Sequence, residues 1–227
     1  MNLKEIAAAS AVKLIKDGQI IGLGTGSTMR YALKEIARRI YEDELEILCV
    51  PSSLDTQFLA VESGIPLTTF EEHQSIDIDI DGADEVDRDL NLIKGGGAAH
   101  TREKIIARHA KRFVVIVDES KVKNKLSMPV PVEVLPFAWK VAESELKKLK
   151  GIPKLRKAES KAGPVITDNG NFVLDVDFGE IRNPKKLEEE INAIAGVIEN
   201  GIFAGMASEV HVGTKKGVIV KRCTRSE

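Results

Sequence analysis

Glycine and hydroxyl residues are concentrated in one short segment near the N-terminus, Gly22-Leu23-Gly24-Thr25-Gly26-Ser27-Thr28. The segment joins an apolar run to a predicted helix, so its backbone can approach an anion and the free N–H groups of the helix start can point toward it. ATP-binding loops require a lysine after their last glycine, and this segment has none. Ser27 also replaces the third glycine of dinucleotide-binding loops. The segment therefore predicts a site for a small phosphate monoester, with an ordinary hydroxyl-capped turn as the alternative.

A second segment is a strand in which isoleucine and aspartate alternate, so that Asp77, Asp79 and Asp81 share one face. Asp81 and Asp84 flank Gly82-Ala83 at the carboxyl end of this strand, where open parallel sheets bind their ligands. Their carboxylates could hold sugar hydroxyl groups or transfer protons. Two alternatives stay open: a Mg²⁺ site, and simple capping of the following turn.

A third segment, Lys94-Gly95-Gly96-Gly97, precedes a predicted helix that carries Glu103 in its first turn. Three consecutive glycines cost chain entropy, so they indicate unusual dihedral angles or a close backbone approach. A lysine beside such a loop can stabilise a developing oxyanion, although a solvated surface lysine would look the same in sequence. Glu103 has a simpler alternative role too, which is to compensate the dipole of its helix.

The composition argues against other classes of function. A net charge of −2 gives no electrostatic reason to expect nucleic acid or an anionic membrane as partner. The four histidines lack metal-binding spacing, and Cys49 and Cys223 suggest no disulfide framework, so we expect no metal and a reducing, cytoplasmic location. Charges interrupt the apolar residues of the N-terminus, which predicts neither a signal peptide nor a membrane span.

Alternating helical and strand-like patterns must position these segments. Such alternation favours an α/β fold, with a Rossmann-like domain built on a parallel sheet that has helices on both faces. Helices are predicted at residues 3–16, 28–41, 54–63 and 101–110, and strands at residues 19–24, 46–50, 76–81 and 113–118.

The pattern changes near Pro129 to the order βαββαβ, which predicts a second, smaller ferredoxin-like α+β domain. Two last strands, at residues 209–212 and 217–221, are predicted to return to the first sheet. The predicted domains are therefore 1–128 with 205–227, and 129–204. Within the second domain, strands are predicted at residues 132–135, 153–158, 172–176 and 196–199, and helices at residues 137–149 and 184–195.

Five motifs are spread in order over nearly the whole chain: residues 22–28, residues 81–87, residues 94–97 with 102–105, Pro131-Val132-Glu133-Val134 and Thr167-Asp168-Asn169-Gly170-Asn171. Together they closely resemble ribose-5-phosphate isomerase of the A type. The resemblance implies reversible interconversion of ribose 5-phosphate and ribulose 5-phosphate in the pentose phosphate pathway, without a cofactor, by a homo-oligomer that is a dimer or a tetramer.

The resemblance also implies roles for single residues. Glu103 would accept and return the proton, Lys94 would hold the enediolate oxygen, and Asp81 and Asp84 would orient hydroxyl groups and move protons during ring opening. Phosphate binding is implied for Thr25, Gly26, Ser27 and Thr28 with Lys4, a ligand contact for Lys121, and sugar binding for Asp81, Gly82, Ala83, Asp84, Lys94, Gly95, Gly96 and Gly97.

Residues 50–56 depart from the family pattern, because they match its Ser/Thr-rich stretch only loosely, and the segment after Ser120 is also unusual. These departures leave the exact phosphate contacts open. Two competing functions remain at this point. One is a different phosphosugar enzyme on a similar fold, such as an amino-sugar phosphate deaminase or a sugar lactonase, and the other is a non-catalytic sugar-phosphate sensor.

Overall fold

The structure, a computed structural model, describes residues 2–222, so that Met1 and residues 223–227, including Cys223, lie outside the described residues. In chain order the helices are α1 (Leu3–Val12), α2 (Met29–Glu42), α3 (Leu54–Glu62), α4 (His100–His109), α5 (Trp139–Lys148) and α6 (Pro184–Asn192). The strands are β1 (Ile20–Leu23), β2 (Leu48–Pro51), β3 (Ile78–Asp81), β4 (Glu85–Val86), β5 (Leu92–Ile93), β6 (Phe113–Asp118), β7 (Val130–Val134), β8 (Ile152–Leu155), β9 (Phe172–Asp177), β10 (Val197–Asn200), β11 (Ile202–Phe203), β12 (Glu209–Thr214) and β13 (Gly217–Arg222). Within residues 2–222, no helix combines the length and the apolar character needed to cross a bilayer.

The chain divides into two compact units. Of the described residues, the first comprises 2–83, Arg102–Val122 and 206–222, and the second comprises Asp84–Thr101 and Lys123–Gly205. This division differs from the domains predicted from the sequence mainly at residues 84–101, which cluster here with the second unit.

The first unit is built on a six-stranded sheet in the order β13-β12-β6-β3-β1-β2. All neighbouring strands are parallel except β12 and β13, which form an antiparallel pair at one edge. The predicted α/β class and the return of the last two strands to this sheet are confirmed. Strand β6 is central and its first five residues are all buried, which accounts for its continuous apolar sequence.

Helix α1 reaches the carboxyl end of β12 because that strand carries a glycine there. A Cβ on Gly213 would lie 1.9 Å from the carbonyl oxygen of Leu3, so only glycine lets the two backbones come this close. Asn2 caps the helix by accepting a hydrogen bond from the N–H of Lys4 (3.1 Å). The N-terminal turn of α1, including Lys4, is thereby held beside the carboxyl edge of the sheet.

The second unit contains the predicted βαββαβ order as β7, α5, β8, β9, α6 and β10. Its four-stranded sheet has the order β10-β7-β9-β8 and is antiparallel throughout. A separate three-stranded sheet, β11-β5-β4, was not predicted. Its strands have two residues each, too few for an alternating pattern to be recognised.

Candidate active site

The first three strands end together, and their carboxyl ends lie beneath the predicted phosphate-binding loop, residues 25–28, here called the phosphate loop. The N–H of Gly24 donates to the carbonyl of Ile80 (2.9 Å), and the N–H of Ser52 donates to the carbonyl of Leu23 (2.9 Å). These bonds continue the parallel pairing of β1 with β3 and β2 by one residue. The glycine-rich segment therefore starts from a fixed position at the carboxyl edge of the sheet.

Glycines in β1 and directly after it make room for aspartates on β3. A Cβ on Gly24 would lie 1.9 Å from Oδ1 of Asp81, and a Cβ on Gly22 would lie 2.6 Å from Oδ1 of Asp79. The Asp81 carboxylate is buried, and its Oδ1 accepts hydrogen bonds from the N–H groups of Thr25 (3.1 Å) and Gly82 (2.6 Å). Asp81 therefore ties the start of the phosphate loop to the end of β3.

The alternating aspartates differ in role, as their positions along the strand suggest. Asp77 lies at the amino end of the sheet, where it accepts hydrogen bonds from Lys111 Nζ (2.7 Å) and from the N–H of Ile20 (2.9 Å). These bonds, the one from Lys111 above all, hold the pKa of Asp77 below its usual range. Asp77 is thus a structural residue, whereas Asp81 lies at the carboxyl edge, where open parallel sheets bind their ligands.

Four hydroxyl groups form a cluster under the phosphate loop. Thr25 Oγ1 lies 2.8 Å from Ser52 Oγ, 2.7 Å from Ser53 Oγ and 3.2 Å from Thr56 Oγ1. Thr56 Oγ1 also donates to the carbonyl of Gly24 (2.8 Å), and Ser53 caps α3. Sequence reasoning missed Ser52, Ser53 and Thr56, although they lie in the stretch that matched the family only loosely. The Thr25 hydroxyl therefore helps to hold the loop in shape.

The remaining residues of the loop face solvent at the start of α2. Gly26 has φ +113°, a conformation that favours glycine, and the space around it is open. Lys4 Nζ donates to Ser27 Oγ (2.9 Å), which brings one predicted phosphate ligand directly to another. Thr28 occupies the N-cap position of α2, where its side chain makes no capping hydrogen bond. The predicted phosphate residues thus combine open backbone, hydroxyl groups and a cation at a helix N-terminus.

Lys121 belongs to the same edge of the sheet. It ends the 3₁₀ turn Glu119–Lys121 that follows β6, and the Asp118 carboxylate fixes that turn by accepting from the N–H of Ser120 (2.9 Å). Burial would raise the pKa of Asp118, but the hydrogen bonds from Ser120 and the positive charges of Lys121 and Lys4 lower it below the usual range. Both predicted lysines therefore lie near one carboxylate at this edge.

Helix α4 carries Glu103 to the carboxyl edge of the sheet. At the amino end of β3 the N–H of Ile76 donates to the carbonyl of His109 (3.0 Å), and the Ile106 side chain packs against Gly22. The helix runs back from there, and ten residues span about 15 Å, so its first turn reaches the level of the strand ends. The Glu103 side chain is only 4% exposed. A buried carboxylate in this position can act on a bound substrate with little competition from water.

Lys94 follows β5 in the second unit and is buried. It is 2% exposed, its N–H donates to the carbonyl of Gly201 (2.9 Å), and its Nζ lies 5.5 Å from the centroid of the Phe203 ring. The alternative that Lys94 is a solvated surface lysine is therefore wrong. A buried ammonium group is a strong electrostatic partner for an oxyanion because little water screens it.

The glycines after Lys94 have the unusual geometry that their sequence suggests. Gly95 has φ +107°, and a Cβ there would lie 2.7 Å from Nδ1 of His100. The N–H of Gly96 donates to Oδ2 of Asp84 (2.8 Å), while the N–H of Asp84 donates to the carbonyl of Ile93 (2.8 Å). Asp84 and the glycine loop, residues 94–97, are thus one hydrogen-bonded structure.

Glu133 explains two of the motifs that carried the family resemblance. Its buried carboxylate accepts hydrogen bonds from Thr101 Oγ1 (2.5 Å), Thr167 Oγ1 (2.9 Å), Asn171 Nδ2 (2.8 Å) and Asn169 Nδ2 (3.1 Å). Burial would raise the pKa of Glu133, but these four donors lower it below the ordinary value. Its role is to join the 167–171 turn to Thr101, and sequence reasoning did not assign that role.

The predicted site residues fall into two groups, one in each unit. The first unit contains Lys4, Thr25, Gly26, Ser27, Thr28, Asp81, Gly82, Ala83, Glu103 and Lys121, and the second contains Asp84, Lys94, Gly95, Gly96 and Gly97.

Among residues 2–222, no three or more His, Cys, Asp and Glu side chains are grouped so that they could hold a metal ion.

Comparison with known proteins gives a consistent family. The family model of ribose 5-phosphate isomerase A (phosphoriboisomerase A) matches residues 48–217. The chain is 52% identical to ribose-5-phosphate isomerase A of Methanothermobacter thermautotrophicus over 98% of each chain. It superimposes on the solved ribose 5-phosphate isomerase A of Methanocaldococcus jannaschii with a TM-score of 0.94 at 48% identity, covering 97% of this chain and 98% of that one. A solved D-ribose-5-phosphate isomerase in complex with phospho-erythronic acid is also 48% identical, with a TM-score of 0.95 over 98% of this chain and 100% of the other. On this match the chain belongs to the ribose 5-phosphate isomerase A family.

Proposed function

We propose that the protein interconverts D-ribose 5-phosphate and D-ribulose 5-phosphate through an enediolate. The full-length match to isomerases of this name is the observation that carries the proposal. The ligand named in the related complex supports it. Phospho-erythronic acid is a phosphorylated four-carbon sugar acid, and the shared charge on its two carboxylate oxygens resembles the charge on the two oxygens of an enediolate.

Phosphate recognition is assigned to the loop Thr25, Gly26, Ser27 and Thr28, with Lys4 and Lys121 as cations. Open backbone at Gly26 and the N-terminus of α2 suit a dianionic phosphate group. Because the phosphate lies at the far end of the sugar from the reacting carbons, its binding energy serves to fix the substrate for proton transfer.

Proton transfer is assigned to Glu103. Its carboxylate removes the proton from C2 of the open-chain aldose, the electron pair forms the C1–C2 double bond, and the aldehyde oxygen becomes an oxyanion. Glu103 then returns the proton to C1, while the C2 hydroxyl loses its proton and O1 gains one. A single base can take both steps because the proton leaves and returns on neighbouring carbons.

The stabilisation of the oxyanion and the orientation of the sugar hydroxyl groups are assigned to the other polar residues. Lys94 stabilises the oxyanion as charge develops, since its ammonium is buried. Asp81 and Asp84 orient the sugar hydroxyl groups, with Gly82, Ala83 and Gly95 to Gly97 as the neighbouring backbone, and move the hydroxyl protons during ring opening. These roles need no cofactor.

The proposal extends to assembly and location. A homo-oligomer, dimer or tetramer, is supported by two apolar side chains in the second unit, Phe137 and Val141, which are 100% and 58% exposed. A cytoplasmic location is supported by the cysteine content, because Cys49 and Cys223 suggest no disulfide framework. Light scattering coupled to size exclusion measures the oligomer directly.

Conversion of ribose 5-phosphate by the purified protein is expected to be unchanged after exhaustive chelation. The reason is that the proposed mechanism transfers protons through side chains alone. The measurement is the isomerisation rate before and after dialysis against a strong chelator. Absence of conversion in both samples would contradict the isomerase assignment. If chelation abolishes the activity and Mg²⁺ or Zn²⁺ restores it, Asp81 and Asp84 would instead be metal ligands.

Replacement of Gly26 by valine is expected to raise the KM for ribose 5-phosphate by roughly 10- to 100-fold with little effect on folding. The open space around Gly26 accepts a side chain, but φ +113° is strained for valine, so the loop must shift away from the phosphate. Gly163→Val is the matched control, because Gly163 has φ +106° and open surroundings outside the assigned site. An unaltered KM in folded Gly26→Val protein would make the loop merely structural.

A further inference from the structure

The glycine loop is held by a side chain that lies about sixty positions away in the sequence. Arg156 Nη1 donates to the carbonyl of Gly95 (2.8 Å) and also reaches the carbonyl of Gly96 (3.2 Å). The N–H of Gly96 meanwhile donates to Asp84. The peptide groups of the loop are therefore held through both their carbonyl and their N–H groups.

Arg156 is itself fixed in direction by Asp175 of β9. Its Nε donates to Asp175 Oδ2 (2.8 Å) and its Nη2 donates to Oδ1, so the two planar groups meet in the bidentate geometry typical of arginine and carboxylate. The two side chains are 16% and 32% exposed. With these two nitrogens facing Asp175, Nη1 is left to point at the glycine loop.

A loop of this composition depends on such contacts more than an ordinary loop does. Three consecutive glycines have many accessible backbone conformations, and Gly96 and Gly97 are exposed. Ala98, which follows them, has φ +58°. Lys94 and the hydrogen-bonded Asp84 belong to the same structure, so a loop that moves carries their charged groups with it.

We propose that Arg156, oriented by Asp175, is a positioning residue of the isomerase. It acts through the backbone of Gly95 and Gly96 and sets where Lys94 and Asp84 present their charges. The kinetic consequence rests on the proposed function, whereas the hold on the loop does not. A displacement of about 1 Å at a catalytic group can cost a hundredfold in rate, so a positioning residue of this kind has a measurable effect.

Hydrogen exchange of the intact protein tests the hold on the loop without reference to activity. In Arg156→Gln, the amides of residues 94–99 are expected to exchange about tenfold faster or more, because bonds to a charged donor are lost. Lys154→Gln is the matched control, since Lys154 lies on β8 opposite Asp175, is exposed and is not assigned to the site. Equal exchange of residues 94–99 in parental protein and folded Arg156→Gln would overturn the proposal.

Kinetics test whether the hold matters for catalysis. Arg156→Gln is expected to lower kcat by roughly 10- to 100-fold while KM changes by less than about threefold. Arg156→Lys should recover only part of the loss. The ammonium keeps a positive charge, but it cannot bind both Asp175 and the loop. Asp175→Asn should lower kcat less than Arg156→Gln, and the double variant should fall no further than Arg156→Gln alone.

The possible results are distinguishable. Faster loop exchange with an unchanged kcat would make Arg156 a structural residue only, and so would a fall in activity that follows the folded fraction measured by thermal unfolding. If the parental protein does not convert ribose 5-phosphate, the proposed function fails, and the exchange of residues 94–99 still decides whether Arg156 holds the loop.

Discussion

Glutamine in place of Glu103 is expected to slow isomerisation by roughly 10²- to 10⁴-fold, the usual contribution of a positioned general base. The amide has nearly the shape of the carboxylate, so folding and binding of ribose 5-phosphate should be retained. It cannot accept the C2 proton, however, and the 4% exposure of Glu103 leaves little room for water to act instead. The measurements are kcat and the incorporation of deuterium from solvent, which should fall in parallel because both require the same abstraction.

The control for this variant addresses the alternative that Glu103 only compensates a helix dipole. Asp55 lies in the first turn of α3, and its side chain is 54% exposed. Asp55→Asn removes a negative charge from an equivalent helix position and should leave kcat near the parental value. If folded Glu103→Gln isomerises and exchanges hydrogen at nearly the parental rate, Glu103 is not the base, and Asp81 becomes the leading candidate.

Replacement of Lys94 by methionine is expected to lower kcat by roughly 10²- to 10³-fold, the usual effect of losing one oxyanion donor. Methionine keeps most of the apolar stem but removes the ammonium group, which lies 5.5 Å from the centroid of the Phe203 ring. KM should change much less, because an oxyanion partner contributes most when charge develops in the transition state. Steady-state kinetics over a range of ribose 5-phosphate concentrations separate the two parameters.

Lys125→Met is the matched control for the loss of a lysine charge in the same unit. Lys125 pairs with Glu180 at the surface, and the two side chains are 54% and 55% exposed, so its removal should leave both kinetic parameters unchanged. A change confined to KM in Lys94→Met would instead make Lys94 a ground-state contact of the substrate.

Elements with a strong apolar period could be predicted from the sequence. Strand β6 was predicted with the bounds that the structure has, because its apolar run is short and rich in valine and isoleucine, which favours a buried strand over a helix. The end of α1 was predicted too late. Leu14 and Ile15 continue the apolar pattern into the core after the helix has ended, and Arg39 binds the carbonyls of Val12 and Ile15 at that end. An apolar pattern shows which residues are buried, and here the buried residues continue beyond the end of the helix.

The candidate site was predictable where its residues are neighbours in the chain. The phosphate loop and the glycine loop are continuous segments, so their composition alone indicates their use. Arg156 and Glu133 could not be found in this way. Glu133 lies within β7 and Arg156 directly follows β8, and each acts through contacts with residues more than thirty positions away in the sequence.

The close approach of Gly24, directly after β1, to Asp81 of β3 limits how this protein can be made more heat-resistant. Replacing glycine with alanine commonly stabilises a protein where the backbone conformation allows it, because the change reduces the freedom of the unfolded chain. At Gly24 the added methyl group would occupy the place of the Asp81 carboxylate, at 1.9 Å from Oδ1. A stabilising library should therefore leave Gly24 unchanged, since any gain there would require Asp81 to move from the position at which it anchors the phosphate loop.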